Sequence, residues 1–250
     1  MAEVSPDGVY QAVFGGGALI GQGALVLRHG KAGGIGHDHG EYSGAYHHDS
    51  SSGVLELDID VRVPSATPIA AGLKAGPAGS TVRATAKGML ATPSTTLPVD
   101  LAGHKCELVL RRVGVLHVSP NPRQSSTDHG VPHADAFPNG IYRIESAGIG
   151  YLTHTVIVLA DGHLVGVGEM GGNYFGTYAF DTIRKLTAFT GYAELPPNIP
   201  LVTGGSTGPL GLKAPISSET KFNGGRSRFS FSMNGRAVDA ALVYRRPLPG

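Results

Sequence analysis

The sequence predicts an all-β fold: two tandem small antiparallel up-and-down β-barrels, pseudo-dimeric by internal duplication. Three observations carry that reading. Glycine supplies 38 of 250 residues, about twice the usual share, and lacks the three-residue period of collagen. With 17 prolines, it punctuates many short segments. Apolar and polar residues alternate along several of these segments, and the chain matches itself at an offset of 132 residues.

In the first copy, Leu55, Leu57, Ile59, Val61 and Val63 fall on one face of a strand and Glu56, Asp58, Asp60 and Arg62 on the other. Val82, Ala84 and Ala86 alternate with Arg83, Thr85 and Lys87. In the second copy, Phe229, Phe231 and Met233 alternate with Ser230 and Ser232. His29-Gly30, Ser52-Gly53, Asp161-Gly162, Asn223-Gly224-Gly225 and Asn234-Gly235 read as the intervening turns. Gly15-Gly16-Gly17 reads as a further turn or loop. No 12-residue stretch carries a capped 3.6 period. Seven or eight strands per copy suit a barrel or a sandwich; glycine, cheapest at the tight bends of a closing sheet, favours the barrel.

The repeat pairs 16 identities over residues 7–72 with no gap. Gly34, Gly36, Gly40, Tyr42, Gly44 and Tyr46 answer Gly166, Gly168, Gly172, Tyr174, Gly176 and Tyr178. Later the register is expected to slip by two, so that Leu110-Arg111-Arg112 meets Tyr244-Arg245-Arg246. The predicted domains are 5–113 and 139–247, with a Pro/Ser/His-rich linker over 114–138.

A net charge of +1, with no basic stripe, argues against nucleic acid and against a polybasic membrane anchor. The longest apolar run, Val156 to Ala160, is far short of a membrane span. One cysteine, Cys106, and no signal-like start point to a cytoplasmic protein.

The segments DGVYQAVF, GGIGHDHGEYSGAY and VLELDIDVRVP, with NGIYRIES and GVGEMGGNYFGTY in the second copy, resemble the GrlR-type domain, the family of a negative regulator of type III secretion. The resemblance covers about the first 70 residues of each copy. It implies a calycin-like, lipocalin-like barrel and a non-enzymatic regulator that silences an activator through an acidic loop. The matching places here hold His47-His48-Asp49-Ser50-Ser51-Ser52 and Ala179-Phe180-Asp181-Thr182-Ile183-Arg184. Neither is an acidic run, so the activator-binding role does not carry over. His48, Asp49, Asp181 and Arg184 remain the candidate partner-loop residues. A tandem pair implies a monomer acting as a pseudo-dimer, or a homodimer.

Several residues invite chemistry. His37 and His39, expected on one strand face, with His47 nearby, are candidate ligands for Zn, Cu or Ni. Solvated histidines in a glycine-rich hairpin explain the cluster as well. Gly34-x-Gly36 and Gly166-x-Gly168 open no helix and read as strand curvature rather than a phosphate cradle. Cys106 reads as a packed thiol or an exposed bystander rather than a nucleophile. Glu56, Asp58 and Asp60 read as a solvated outer face. The matched tyrosines Tyr42, Tyr46, Tyr174 and Tyr178 read as packing across glycine, or as phenolic donors at a barrel mouth. No cofactor and no catalytic residue is expected. Two functions follow: a regulator with a protein partner, or a barrel that binds a small apolar ligand.

Overall fold

The computed structural model describes residues 5–16, 19–65, 75–115, 139–147, 152–222, 225–233 and 235–249. The chain divides into two compact units, each an eight-stranded antiparallel barrel. The first contains β1 (Gly8–Gly16), β2 (Leu19–Arg28), β3 (Lys31–Gly36), β4 (Glu41–Asp49), β5 (Val54–Val63), β6 (Ser80–Met89), β7 (Ser94–Leu101) and β8 (His104–Val115). Each strand pairs with the next and β8 pairs with β1, so the barrel is closed.

The second contains β9 (Gly140–Ala147), β10 (Leu152–Ala160), β11 (His163–Gly168), β12 (Asn173–Asp181), β13 (Leu186–Leu195), β14 (Leu212–Thr220), β15 (Arg226–Met233) and β16 (Arg236–Arg246). Its order runs β14-β13-β12-β11-β10-β9-β16-β15, which leaves one seam without a backbone ladder, between β14 and β15. Side chains bridge that seam: the Ser218 hydroxyl donates to the Ser230 carbonyl at 3.0 Å and the Thr220 hydroxyl to the Arg228 carbonyl at 3.3 Å.

The expected alternation is observed, with Leu55, Leu57, Ile59, Val61 and Val63 all buried inside the first barrel. His29-Gly30 and Asp161-Gly162 have positive φ at both residues, as two-residue hairpin turns require. Gly15 and Gly16, by contrast, continue β1 rather than forming a turn. Gly114 and Val115 belong to β8, and 116–138, the rest of the expected linker, lies outside the described residues, as do Asn223, Gly224 and Asn234.

The repeat register does not slip. Tyr10 pairs with Arg112, and Tyr142 pairs with Tyr244, so Arg112 and Tyr244 are the equivalent pair. A β-bulge follows at the same place in each copy, between Val9/Tyr10 and Tyr244/Arg246. The two Arg-Arg dipeptides suggest a shift of two, but they fall on opposite sides of this bulge. Arg112 lies over the Tyr10 ring at 5.9 Å, and Tyr244 meets the Tyr142 ring edge-on at 5.5 Å. Different side chains thus perform the same packing.

Candidate functional site

The matched tyrosines separate into two roles. Tyr46 and Tyr178 are fasteners. The Tyr46 hydroxyl donates to the Asp7 carboxylate, which also accepts the His29 backbone N–H at 3.2 Å. The Tyr178 hydroxyl donates to the Asn139 side-chain oxygen, which also accepts the Asp161 N–H at 3.1 Å. Each tyrosine's own N–H donates to the turn glycine, Gly30 or Gly162, at 2.9 Å. The entry to the first strand, the following hairpin turn and the fourth strand are pinned together, once per barrel.

Tyr42 and Tyr174 cover the Gly-x-Gly motifs. A Cβ on Gly36 would lie 2.6 Å from the Tyr42 hydroxyl, and one on Gly23 would lie 2.7 Å from its ring. Burial pushes both phenols well above their ordinary range; the nearby Asp38 adds to the effect at Tyr42, while a hydrogen bond with Thr155 opposes it at Tyr174. The glycines therefore make room for an aromatic ring.

The histidines are not where the strand reading puts them. His37-Asp38-His39 forms the turn between β3 and β4, with His39 in the left-handed region at φ 63°. The His37 N–H donates to the Gln22 carbonyl at 2.9 Å, and Gly40 N–H to the Asp38 carboxylate at 2.9 Å. Glycines at 36 and 40 favour this turn over a continued strand. His47 sits on β4 opposite Glu56, six residues along from Glu41, about 20 Å of strand. That length separates it from the turn at 37–39, so the three imidazoles do not converge. His48 also lies on β4, opposite Leu55.

Both candidate partner loops are tight turns. Asp49 accepts from the Ser51 N–H at 2.9 Å and from the Ser51 and Ser52 hydroxyls at 2.6 Å, which together hold its carboxyl far below the usual range. Asp181 accepts from the Ile183 and Arg184 N–H groups at 2.8 and 2.9 Å, and Arg184 pairs with Glu219 at 3.1 Å. On the first barrel's outer wall, Lys87 bonds Glu56 at 2.5 Å and Arg83 bonds Asp58. Glu56, Lys87 and Asp58 border a space of about 610 Å³ across β4–β8 that also includes His47, Lys105 and the inward residues Leu57, Val99 and Cys106. Cys106 is buried, and burial pushes its thiol up, away from nucleophilic use.

The candidate ligand site lies inside the second barrel, and of the tyrosines the sequence singles out only Tyr174 lines it. Among the described residues, inward residues of the first barrel form one continuous cluster. Those of the second form two clusters, one around Tyr142, Ile157, Tyr178 and Phe189 and one around Leu195, Leu201, Phe231 and Met233, with Ile144 and Phe229 touching both. Between them is a cavity of about 80 Å³, room for two or three waters at ~30 Å³ each.

Equivalent rows explain its chemistry. Gly21, Phe14 and Leu108 lie side by side in the first barrel; Thr153, Ser146 and Ala240 occupy that row in the second. Ile59 is replaced by Gly191, and Gly23 by Thr155. Bulk is moved rather than removed: Leu97 and Val99 give way to Phe229 and Phe231. The result is a cavity with Phe189, Phe229, Leu242 and Ile157 on one side and Ser146, Thr153, Thr155 and Tyr174 on the other. Ser146 is 5% exposed, and its hydroxyl has no hydrogen-bond partner among the described residues. This offset-by-132 comparison of inward positions is the signal that could have found the site.

A second cavity of about 50 Å³ adjoins the first and shares Thr153, Thr155, Tyr174, Val202 and Met233 with it. Its cover is the connection 196–211, which inserts Ile199, Leu201 and Val202 into the barrel end. The cover holds its own shape: Thr207 N–H donates to the Ile199 carbonyl at 3.0 Å and the Thr207 hydroxyl to the Pro196 carbonyl at 2.6 Å. Arg236 fastens it to β16 through the Thr203 carbonyl at 2.6 Å.

No family model and no curated protein matches this chain. A solved structure that it is similar to is the isotype 1 transferrin binding protein B from serogroup B Neisseria meningitidis, at 8% identity, with a TM-score of 0.25. The match covers 91% of this chain and 58% of that one, so the chain spans little over half that protein's length. A likeness at this level carries no argument about function. Among the described residues, no helix is long and apolar enough to cross a membrane.

Proposed function

We propose that the protein is a non-enzymatic binder of a small apolar molecule, held inside the second barrel. The observation that carries this reading is the cavity itself: apolar walls, a few convergent hydroxyls and a folded cover, which is the usual construction of a ligand site. The other reading, a regulator that docks a protein partner, rests on the GrlR resemblance alone. The turns it would use, at Asp49 and Asp181, spend their acidic side chains on capping their own backbone.

The test is native mass spectrometry and solvent extraction of the full chain purified from its source. A co-purifying small molecule, with protection of the Phe229 and Phe231 amides against hydrogen exchange on its return, is the expected outcome. A protein that neither retains a molecule nor shows protection with any of a set of short alcohols and hydrocarbons does not have this function.

A further inference from the structure

We infer that the cavity selects an uncharged ligand with one hydroxyl or carbonyl head, seated with its head at Ser146, Thr153 and Thr155 and its hydrocarbon against Phe189, Phe229 and Leu242. This deepens the ligand reading and rests on it.

The hydroxyls left for a ligand lie on one side of the cavity; Ser218, opposite Phe189, also lines it but spends its hydroxyl on the Ser230 carbonyl. Ser146 and Thr153 are paired across β9 and β10, and Thr155 follows on the same inward face. In the first barrel this corner holds Phe14, packed edge-on against Tyr42 at 5.7 Å, over Gly21 and Gly23. The second barrel thus exchanges one ring for three hydroxyls while keeping the tyrosine. Ser146, 5% exposed as a residue, borders the cavity, and its hydroxyl makes no hydrogen bond among the described residues. A head that both accepts and donates satisfies it, and so does a carbonyl accepting its proton.

Charge is excluded by the rest of the lining. Among the described residues, no side chain around the 80 Å³ cavity carries a formal charge. His154 and Glu169 border only the neighbouring 50 Å³ cavity, and they bond each other at 2.9 Å. A carboxylate or ammonium would enter without a counter-ion, at a desolvation cost the hydroxyls do not offset. Size is also bounded. The volume is about half the ~150 Å³ apolar cavity that holds benzene, so a chain of three or four carbons fits, and a five-carbon ring, about the bulk of benzene, must extend into the adjoining space of about 50 Å³ under Val202 and Met233.

The test titrates the full chain with cyclopentanol, cyclopentane and cyclopentylammonium, three probes of one skeleton, followed by the NMR shifts of Phe229 and Phe231. Cyclopentanol is expected to bind roughly tenfold more tightly than cyclopentane, and cyclopentylammonium to cause no shift. Ser146→Ala is expected to equalise cyclopentanol and cyclopentane. Ser146→Phe, the first barrel's residue, is expected to abolish both; should it fail to fold, Ser146→Ala alone decides. Equal binding of alcohol and hydrocarbon to the unaltered chain, or tighter binding of the ammonium, overturns the head-group assignment and leaves the ligand reading standing. Binding of none of the three overturns both.

Discussion

Asn139 accepts the Tyr178 hydroxyl at the start of the second barrel, where Asp7 accepts that of Tyr46 in the first. The geometry is duplicated but the charge is not. A hydrogen bond to an ionised acceptor stabilises by about 1.5–3 kcal/mol, against about 0.5–1.5 for a neutral one. Tyr46→Phe is therefore expected to destabilise the first barrel by about 2 kcal/mol, and Tyr178→Phe the second by about 1. Denaturant-dependent hydrogen exchange, read separately on β4 and β12, checks the ranking. Equal losses would show that Asp7 contributes no more than Asn139.

A second prediction concerns Gly44 and Gly176, which let the fourth and fifth strands of each barrel approach closely. A Cβ at Gly44 would lie 2.1 Å from the Asp58 carbonyl oxygen, and at Gly176 2.4 Å from that of Thr190. Backbone, unlike a flexible side chain, has no way to swing aside. Gly44→Ala and Gly176→Ala are each expected to cost about 3 kcal/mol or more, at the upper end of overpacking, seen as a lower denaturation midpoint. Gly103, whose Cβ would meet nothing, is the control for crowding, although its φ of 88° adds strain of its own.

These glycines show how much of the fold was legible in the sequence. A repeat of glycines and tyrosines fixes register because glycines such as Gly34, Gly44, Gly166 and Gly176 stand where another strand needs their missing side chain, and Gly30 and Gly162 where a turn needs positive φ. Alternation along Val54–Val63 gave the inward face directly. The candidate site was less legible. Ser146 is unremarkable as one residue; only its position opposite Thr153, equivalent to Phe14 opposite Gly21, makes it informative. The His37-Asp38-His39 spacing misled because alternation assumes a strand, and the two flanking glycines favour a turn.

Alkaline pH should weaken both barrels. Burial pushes the Tyr10 hydroxyl up to about 12 although Arg112 opposes it, and burial also raises Tyr142 and Tyr178. A folded-state value above the unfolded value near 10 means that the unfolded chain loses its proton first. The stabilisation is thus complete below about pH 10 and is lost as pH rises through the folded-state values. Ultraviolet titration is expected to show these phenols ionising together with unfolding, not one by one in the folded chain.

Acid should weaken the second barrel through Glu145. Burial acts to raise its carboxyl, but Arg143 and Arg226 outweigh that, so its pKa lies below the ordinary 4.5. Arg226 reaches it at 2.8 Å from β15, across β16, and ties the last hairpin to β9. For a depressed acid the stabilisation is present above the unfolded value and disappears as pH falls through the folded one. Glu145→Gln should lower the midpoint at pH 7 and flatten its fall between pH 5 and pH 3; an unchanged slope would place the acid sensitivity elsewhere.

The seam between β14 and β15 should be the weakest line in the second barrel's wall. Elsewhere in this barrel neighbouring strands share a backbone ladder, whereas here Ser218 and Thr220 carry the recorded cross-seam hydrogen bonds. A side-chain bond at one residue in two does not replace a ladder that fixes every peptide unit. Ser218 also lines the cavity, so opening the seam exposes the interior directly. Amides of β14 and β15 are expected to exchange with solvent before those of β10 and β11, and Ser218→Ala to speed them a further few-fold without altering β1–β8. The same substitution should raise the association and dissociation rates of cyclopentanol together, leaving its affinity nearly unchanged. Unaltered rates would mean that ligands enter beneath the 196–211 cover instead, and Leu201→Ala would then be the variant that speeds them.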